Sequence, residues 1–350
     1  MAAAKPIQST IEIPRRAGER IRGAESFDAL TVAAADVRVL AESLLVHGMG
    51  AEQLTQVVTA LNDTLTQRLM DVAARHHGIA GRWCWIALGS EGRVEQTLAT
   101  DQDNALILDD GTPDKARFIA FADEVNQALD AAGFPLCKGD IMARNPRWCL
   151  TLAEWRTVFA DWIRNPDPDA LLHAAIFFDL RAIAGDGQLA RTLRDWLLER
   201  TASSPAFLRA LAQKALQATP PIGLLRDFVA DAESDHPGTI DLKKYGVRPL
   251  VDAARVWALA LKLPQTGTTE RLRAAARAGT LPESEAAAVI EALHFIQTQR
   301  LWHQHLERPA PGAENRINPD ALKPLDRRIL EESLRHVAKL QERLKLDYQL

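Results

Sequence analysis

"WCWIALGSEGRVEQTLATDQDNALILDD", Trp83 to Asp110, carries the pattern that decides the fold. Trp83 to Leu88 is a short apolar run that ends against glycine, as a buried strand does, and Asn104 to Leu108 is a second. Between them stand Gly89-Ser90, a short charged helix, and Asp101-x-Asp103. Gly89-Ser90 falls where strand hands over to helix. Backbone N–H groups point outward there, with the positive end of the helix dipole behind them. Glycine lets the backbone approach an anion closely, and the Ser90 hydroxyl adds a donor. Arg93, one turn on, is expected to face the same anion.

Residues two apart on an extended segment share a face, so Asp101 and Asp103 converge. Paired like charges cost stability unless a cation neutralises them, and hard oxygen ligands favour Mg²⁺. "FPLCKGDIMA" is too short and too broken for a helix, which predicts a third strand around Leu136 to Met142. Asp140, after flexible Gly139, would join the pair from that strand. Asp109 has the right parity but sits roughly 20 Å along, at about 3.3 Å per residue, and is excluded. A phosphate cradle with three carboxylates is the inventory of two-metal phosphoryl or nucleotidyl transfer.

Helical periodicity surrounds this module. Leu30, Val37, Leu40 and Leu44 make one stripe, and Leu54 to Val72 a longer one. Asp114 to Ala132 is read as helix. Beyond Pro146 the pattern stays helical, with a helix over Ala170 to Ala184 and others around 189–200, 205–218 and 222–232. Asp241 to Leu250 is basic and irregular, and Lys243 in it is the best candidate to reach nucleotide or acceptor. The reading is an α+β chain: a mobile extension over 1–26, a transferase-like domain with an N-terminal helical pair over 27–202, and an all-α domain over 203–350.

The 350 residues are 47% apolar and 25% charged, ordinary for a soluble globular protein. A net charge of −4 argues against holding nucleic acid by bulk electrostatics. No apolar run approaches a bilayer span, and the N-terminus lacks the apolar core of a secretory signal. The expected compartment is the cytoplasm. Cys84, Cys137 and Cys149 form no C-x-x-C pair, so neither a disulfide framework nor a zinc knuckle is indicated.

"GSEGRVEQTLATDQDNALIL" resembles the signature of the polymerase-β-like nucleotidyltransferases. With "GDIMARNPRW" it resembles the bacterial DUF294 family of nucleotidyltransferases, related to the PII-protein uridylyltransferases. "IDLKKYGVRPLVDAARVWAL" and "TTERLRAAARAGTLPESEAAAVIEALHFIQTQRL" resemble the helical substrate-binding domain of that family. The resemblance implies a polymerase-β-like core, a small mixed sheet with helices, embedded between helical flanks. It implies that Gly89 and Ser90 hold a triphosphate and that Asp101, Asp103 and Asp140 hold Mg²⁺, two ions in all. The implied activity is transfer of a nucleoside monophosphate from an NTP to a protein or small-molecule hydroxyl, in the manner of a uridylyltransferase. The implied setting is signal transduction, with input from a separate sensor protein. The rival reading is a catalytically silent nucleotide-binding adaptor that docks a partner through its helical domain.

Overall fold

The computed structural model describes residues 5–98, 100–112, 114–223, 228, 236–306, 309 and 312–350, with backbone alone at 5–11 and 306. The chain divides into two compact units, Met1–Phe159 with Ile176–Asp195, and Ala160–Ala175 with Trp196–Leu350.

The first unit opens with α1 (Lys5–Gly23), α2 (Phe27–Val46) and α3 (Ala51–His77). The Ser26 side chain caps α2 by accepting from the Ala29 N–H at 3.3 Å. Gly78 ends α3 in the left-handed region (φ +57°), where glycine carries no Cβ penalty. The two expected stripes are buried: Leu30, Val37, Leu40 and Leu44 on α2, and Leu54, Leu61, Leu65, Leu69 and Val72 on α3. The stretch expected to be a mobile extension is the helix α1 instead. Ala17, Ile21 and Ala24 recur at helical spacing and are buried as α1 packs on α2 and α3. Mixed polarity along the sequence masks that narrow stripe.

β1 (Trp83–Ala87), the one-turn α4 (Gly89–Gly92), β2 (Asn104–Leu108), α5 (Lys115–Ala131), β3 (Cys149–Thr151) and β4 (Arg181–Gly185) follow, and α6 (Leu152–Arg164), α7 (Pro168–Phe177) and α8 (Gly187–Ala202) are divided between the two units. The four strands form one mixed sheet in the order β3-β2-β1-β4. β1 pairs antiparallel with β2 in the register Trp83↔Leu108 to Ala87↔Asn104, and β2 runs parallel to β3. Every residue of β2 is buried, as a central strand requires. Trp155 is fully buried and donates its indole N–H to the Leu106 carbonyl at 2.8 Å.

Two strands differ from expectation. Residues 135–145 form an irregular loop, docked by Gln102 N–H on Pro135 O (3.1 Å) and Asn104 N–H on Ile141 O (3.2 Å). Pro135 has no N–H for a ladder, and the chain turns back at Asp140, whose N–H meets Cys137 O. The third strand is Cys149–Thr151. Nor does the helix expected to Ala184 continue: α7 ends at Phe177 and β4 takes over. The alanine-rich run "RAIAG" has little strand propensity, and pairing with β1 overrides it.

The second unit carries α9 (Pro205–Ala215), α10 (Arg248–Ala260), α11 (Thr268–Arg277), α12 (Glu283–Leu306) and α13 (Pro324–Asp347). A two-stranded ribbon joins β5 (Ile240–Asp241) to β6 (Arg316–Ile317). The irregular basic stretch is a π turn, Lys243–Val247, running into α10. The helix expected over 222–232 falls outside the described residues except 222, 223 and 228. No helix among the described residues is long and apolar enough to cross a membrane.

Candidate active site

Leu88 extends the β1–β2 ladder by one step, its N–H donating to Asp103 O at 2.9 Å. The next residue, Gly89, turns left-handed at φ +52°. A Cβ there would stand 2.9 Å from Asp103 Oδ2, so only glycine lets the turn and the carboxylate lie this close. Asp101-x-Asp103 lies in the extended segment just ahead of β2, not in the strand itself. Burial still alternates: Asp101 is exposed, Gln102 buried, Asp103 half-buried and Asn104 buried.

The buried residues fix that alternation. Gln102 donates to the carbonyls of Asn126 (3.0 Å) and Phe134 (2.8 Å). Asn126 on α5 donates to Gln102 Oε1 (2.7 Å) and Asn104 Oδ1 (3.0 Å), and Asn104 Oδ1 also accepts the Ala143 N–H (2.8 Å). This network clamps the segment from its inner face and leaves Asp101 and Asp103 on the other. The alternation Asp-Gln-Asp-Asn in the sequence already hints at it, since a polar residue on the inward face of a strand needs partners.

The expected site residues are not all gathered. Gly89, Ser90 and Asp103 are neighbours, and Asp101 shares the face of Asp103. The Ser90 hydroxyl and the Asp101 carboxylate have no hydrogen-bond partner among the described residues. Asp140 sits in the docked loop at φ +51°, with its carboxylate tied to Asn145 Nδ2 (2.9 Å) and 3.6 Å from Arg144 Nε. It does not complete a three-carboxylate cluster. Among the described residues no group of three or more His, Cys, Asp or Glu is arranged to hold a metal.

Arg93 departs from expectation too. Its guanidinium donates to Asp179 Oδ2 (2.7 Å) and Glu95 Oε2 (2.8 Å), so two carboxylates take the charge expected to face an anion. The dipole argument for Gly89-Ser90 also weakens, because α4 is a single turn with few aligned peptides behind it. Lys243 is exposed and belongs to the second unit.

The sequence reading passed over Glu91, Asp63 and Arg181. Arg181 on β4 grips both carboxylate oxygens of Asp63 on α3 (2.6 and 3.0 Å) and donates to the Glu91 carbonyl (2.9 Å). Glu91 is half-buried as a residue, and burial pushes its carboxyl from 4.5 up to about 8. The negative charges of Asp63 and Asp103 push the same way, and Arg181 opposes them. Its folded value lies above its unfolded one, so its contribution to stability is complete below about 4.5 and is lost as pH rises from there through about 8. In EDTA, Glu91→Gln should therefore gain thermal midpoint relative to the parent chain as pH rises from 5 to 8.5. Parallel curves for the two proteins would refute the buried acid.

Asp63, Glu95, Asp103 and Asp179 outnumber the guanidinium groups of Arg93 and Arg181 in this region, Glu91 is largely protonated at pH 7, and Asp101 is exposed on the face of Asp103. The excess negative charge repels a polyphosphate unless cations intervene. Mg²⁺ fits the donors: it takes hard oxygens, and sites of this kind use one or two carboxylates plus substrate phosphates instead of an all-protein cage. Two carboxylates on one face beside the glycine turn meet that description without a third ligand.

No curated protein matches this chain. Residues 35–169 match the family described as "Putative nucleotidyltransferase DUF294", and residues 205–348 match its companion, described as "Putative nucleotidyltransferase substrate binding domain". The first match covers the Gly-Ser turn and the Asp-x-Asp segment, and the second covers α9 to α13. With both parts in chain order, and the fold and motif described above, the chain belongs to the DUF294 family.

Proposed function

We propose that this chain transfers a nucleoside monophosphate from an NTP to an acceptor hydroxyl in an Mg²⁺-dependent reaction. The observation that carries the reading is the close approach of Gly89 to Asp103, which sets a left-handed glycine turn beside a carboxylate. In this reading Asp101 and Asp103 hold the metal, and the backbone N–H groups of Gly89 and Ser90, with the Ser90 hydroxyl, bind the phosphates. When bound, Mg²⁺ supplies charge neutralisation for the triphosphate and acidifies the attacking hydroxyl. The acceptor hydroxyl gives up its proton to solvent, its oxygen bonds to the α-phosphorus, the bond from that phosphorus to the β-phosphate bridge breaks, and pyrophosphate leaves. The Gln102–Asn126–Asn104 network keeps the two carboxylates aligned, so the site needs little reorganisation. Asp140, tied to Asn145 and beside Arg144, orders the neighbouring loop. The helical domain selects the acceptor, with Lys243 as its candidate contact residue.

Binding is testable without knowing the acceptor. With Mg²⁺, at least one of the four NTPs should raise the thermal midpoint. A ligand at a hundredfold excess over Kd stabilises by about 2.7 kcal/mol. Gly89→Val should erase the shift, because its side chain enters the space beside Asp103 and strains a left-handed residue. A flat scan for all four nucleotides would remove the reading.

A further inference from the structure

The Gly89–Gly92 turn cannot hold its own shape. One helical turn is unstable in isolation. Gly89 is left-handed, and so is Val94 (φ +62°), a β-branched residue for which that region is strained. A turn of this kind persists only where neighbours over-determine it, and here the neighbours come mostly from β4 and the residue pair before it. The Asp179 carbonyl oxygen lies 2.1 Å from where a Gly92 Cβ would be. The fully buried Asp179 carboxylate holds Arg93 at 2.7 Å. Arg181 reaches from β4 to both oxygens of Asp63 and, with the same guanidinium, to the Glu91 carbonyl inside the turn. Asp179 and Arg181 fall in 170–204, between the two stretches matched to the family.

We propose that Asp179 and Arg181, with Asp63, are positioning residues that hold the Gly89–Gly92 turn in the form that receives the nucleotide phosphate. This rests on the nucleotide-binding reading above. Each guanidinium is already matched by a carboxylate. Their influence runs through the backbone they fix. The planar fork of arginine is what allows one side chain to grip Asp63 twice and the Glu91 carbonyl once, and lysine, a single point charge, cannot do both.

The test is the Kd of Mg²⁺ with each NTP, measured calorimetrically well below the melting range of every protein compared. Arg181→Lys keeps the charge and should weaken binding of the best nucleotide about tenfold or more. Asp63→Asn should act in the same direction, and the double variant should be no worse than the poorer single, because both break one brace. A purely structural role predicts something else: lower midpoints in both variants with Kd unchanged. That result overturns the proposal. Should Arg181→Lys fail to fold, Asp63→Asn decides alone by the same criterion. Failure of the parent chain to bind any of the four nucleotides overturns the functional reading and takes this inference with it, and it is seen before any variant is made.

Discussion

Asp103→Asn should lower nucleotidyl transfer by about a thousandfold or more, equivalent to about 4 kcal/mol of transition-state stabilisation. Asp101→Asn should do the same. Both residues lie on the face that the buried Gln102 and Asn104 leave free, so neither amide should disturb the clamp on the segment. For Asp101 the effect on stability has a definite sign. Its carboxylate is exposed, has no hydrogen-bond partner among the described residues, and stands in an acidic neighbourhood. Removing that charge relieves repulsion, so the midpoint of the metal-free Asp101→Asn protein should hold or rise. Loss of activity with a stable fold marks a ligand. Unaltered turnover in either variant would break the assignment of the metal site.

Gly92→Ala should have a large effect on the fold. The added Cβ would lie 2.1 Å from the Asp179 carbonyl oxygen and 3.0 Å from that of Ala87. Both are backbone atoms, one leading into β4 and one in β1, so neither can swing aside. Either the turn lifts off the sheet or the strands separate. Overpacking of this kind costs about 3 kcal/mol or more, which lowers the midpoint by about 4 °C or more in a chain of 350 residues. Gly139→Ala is the matched comparison. Its nearest neighbour would be Cys137 Sγ at 3.7 Å and its φ is not left-handed, so the change should stay within about 1 kcal/mol in either direction. Denaturant titration of the two variants separates these outcomes. Equal stability would mean that the turn does not pack on β4 as described.

How much of this was legible in the sequence depends on whether the signal was local. β1 and β2 announce themselves, since six apolar residues against Gly89 in one and the run Ala105 to Leu108 in the other leave few other readings. The Gly-Ser and Asp-x-Asp pairs are also local, and their proximity follows from antiparallel pairing of the strands that carry them. The partners of Arg93 are not local. One turn of spacing says where a side chain points along a helix, but Asp179 is 86 residues away and enters only when β4 pairs with β1. The same holds for Arg181 and Asp63, 118 residues apart. Asp140 was misplaced for a different reason: a proline and a left-handed turn break the ladder that parity counting assumes. α1 was missed because Ala17, Ile21 and Ala24 make a stripe too narrow to stand out among charged neighbours.

The most direct test of the central claim follows the phosphorus atoms. The full chain is incubated with Mg²⁺ and a cytoplasmic extract as the source of acceptors, using each NTP labelled once at the α-phosphate and once at the γ-phosphate. The protein and small-molecule fractions are then counted and analysed by mass spectrometry. The account predicts that α-label from one NTP enters an acceptor and that the γ-label leaves in pyrophosphate. EDTA, Asp101→Asn and Asp103→Asn should each abolish both. Transfer of γ-label instead, or bound nucleotide with no α-label in any fraction, would contradict it, and the latter result would describe a nucleotide-binding adaptor.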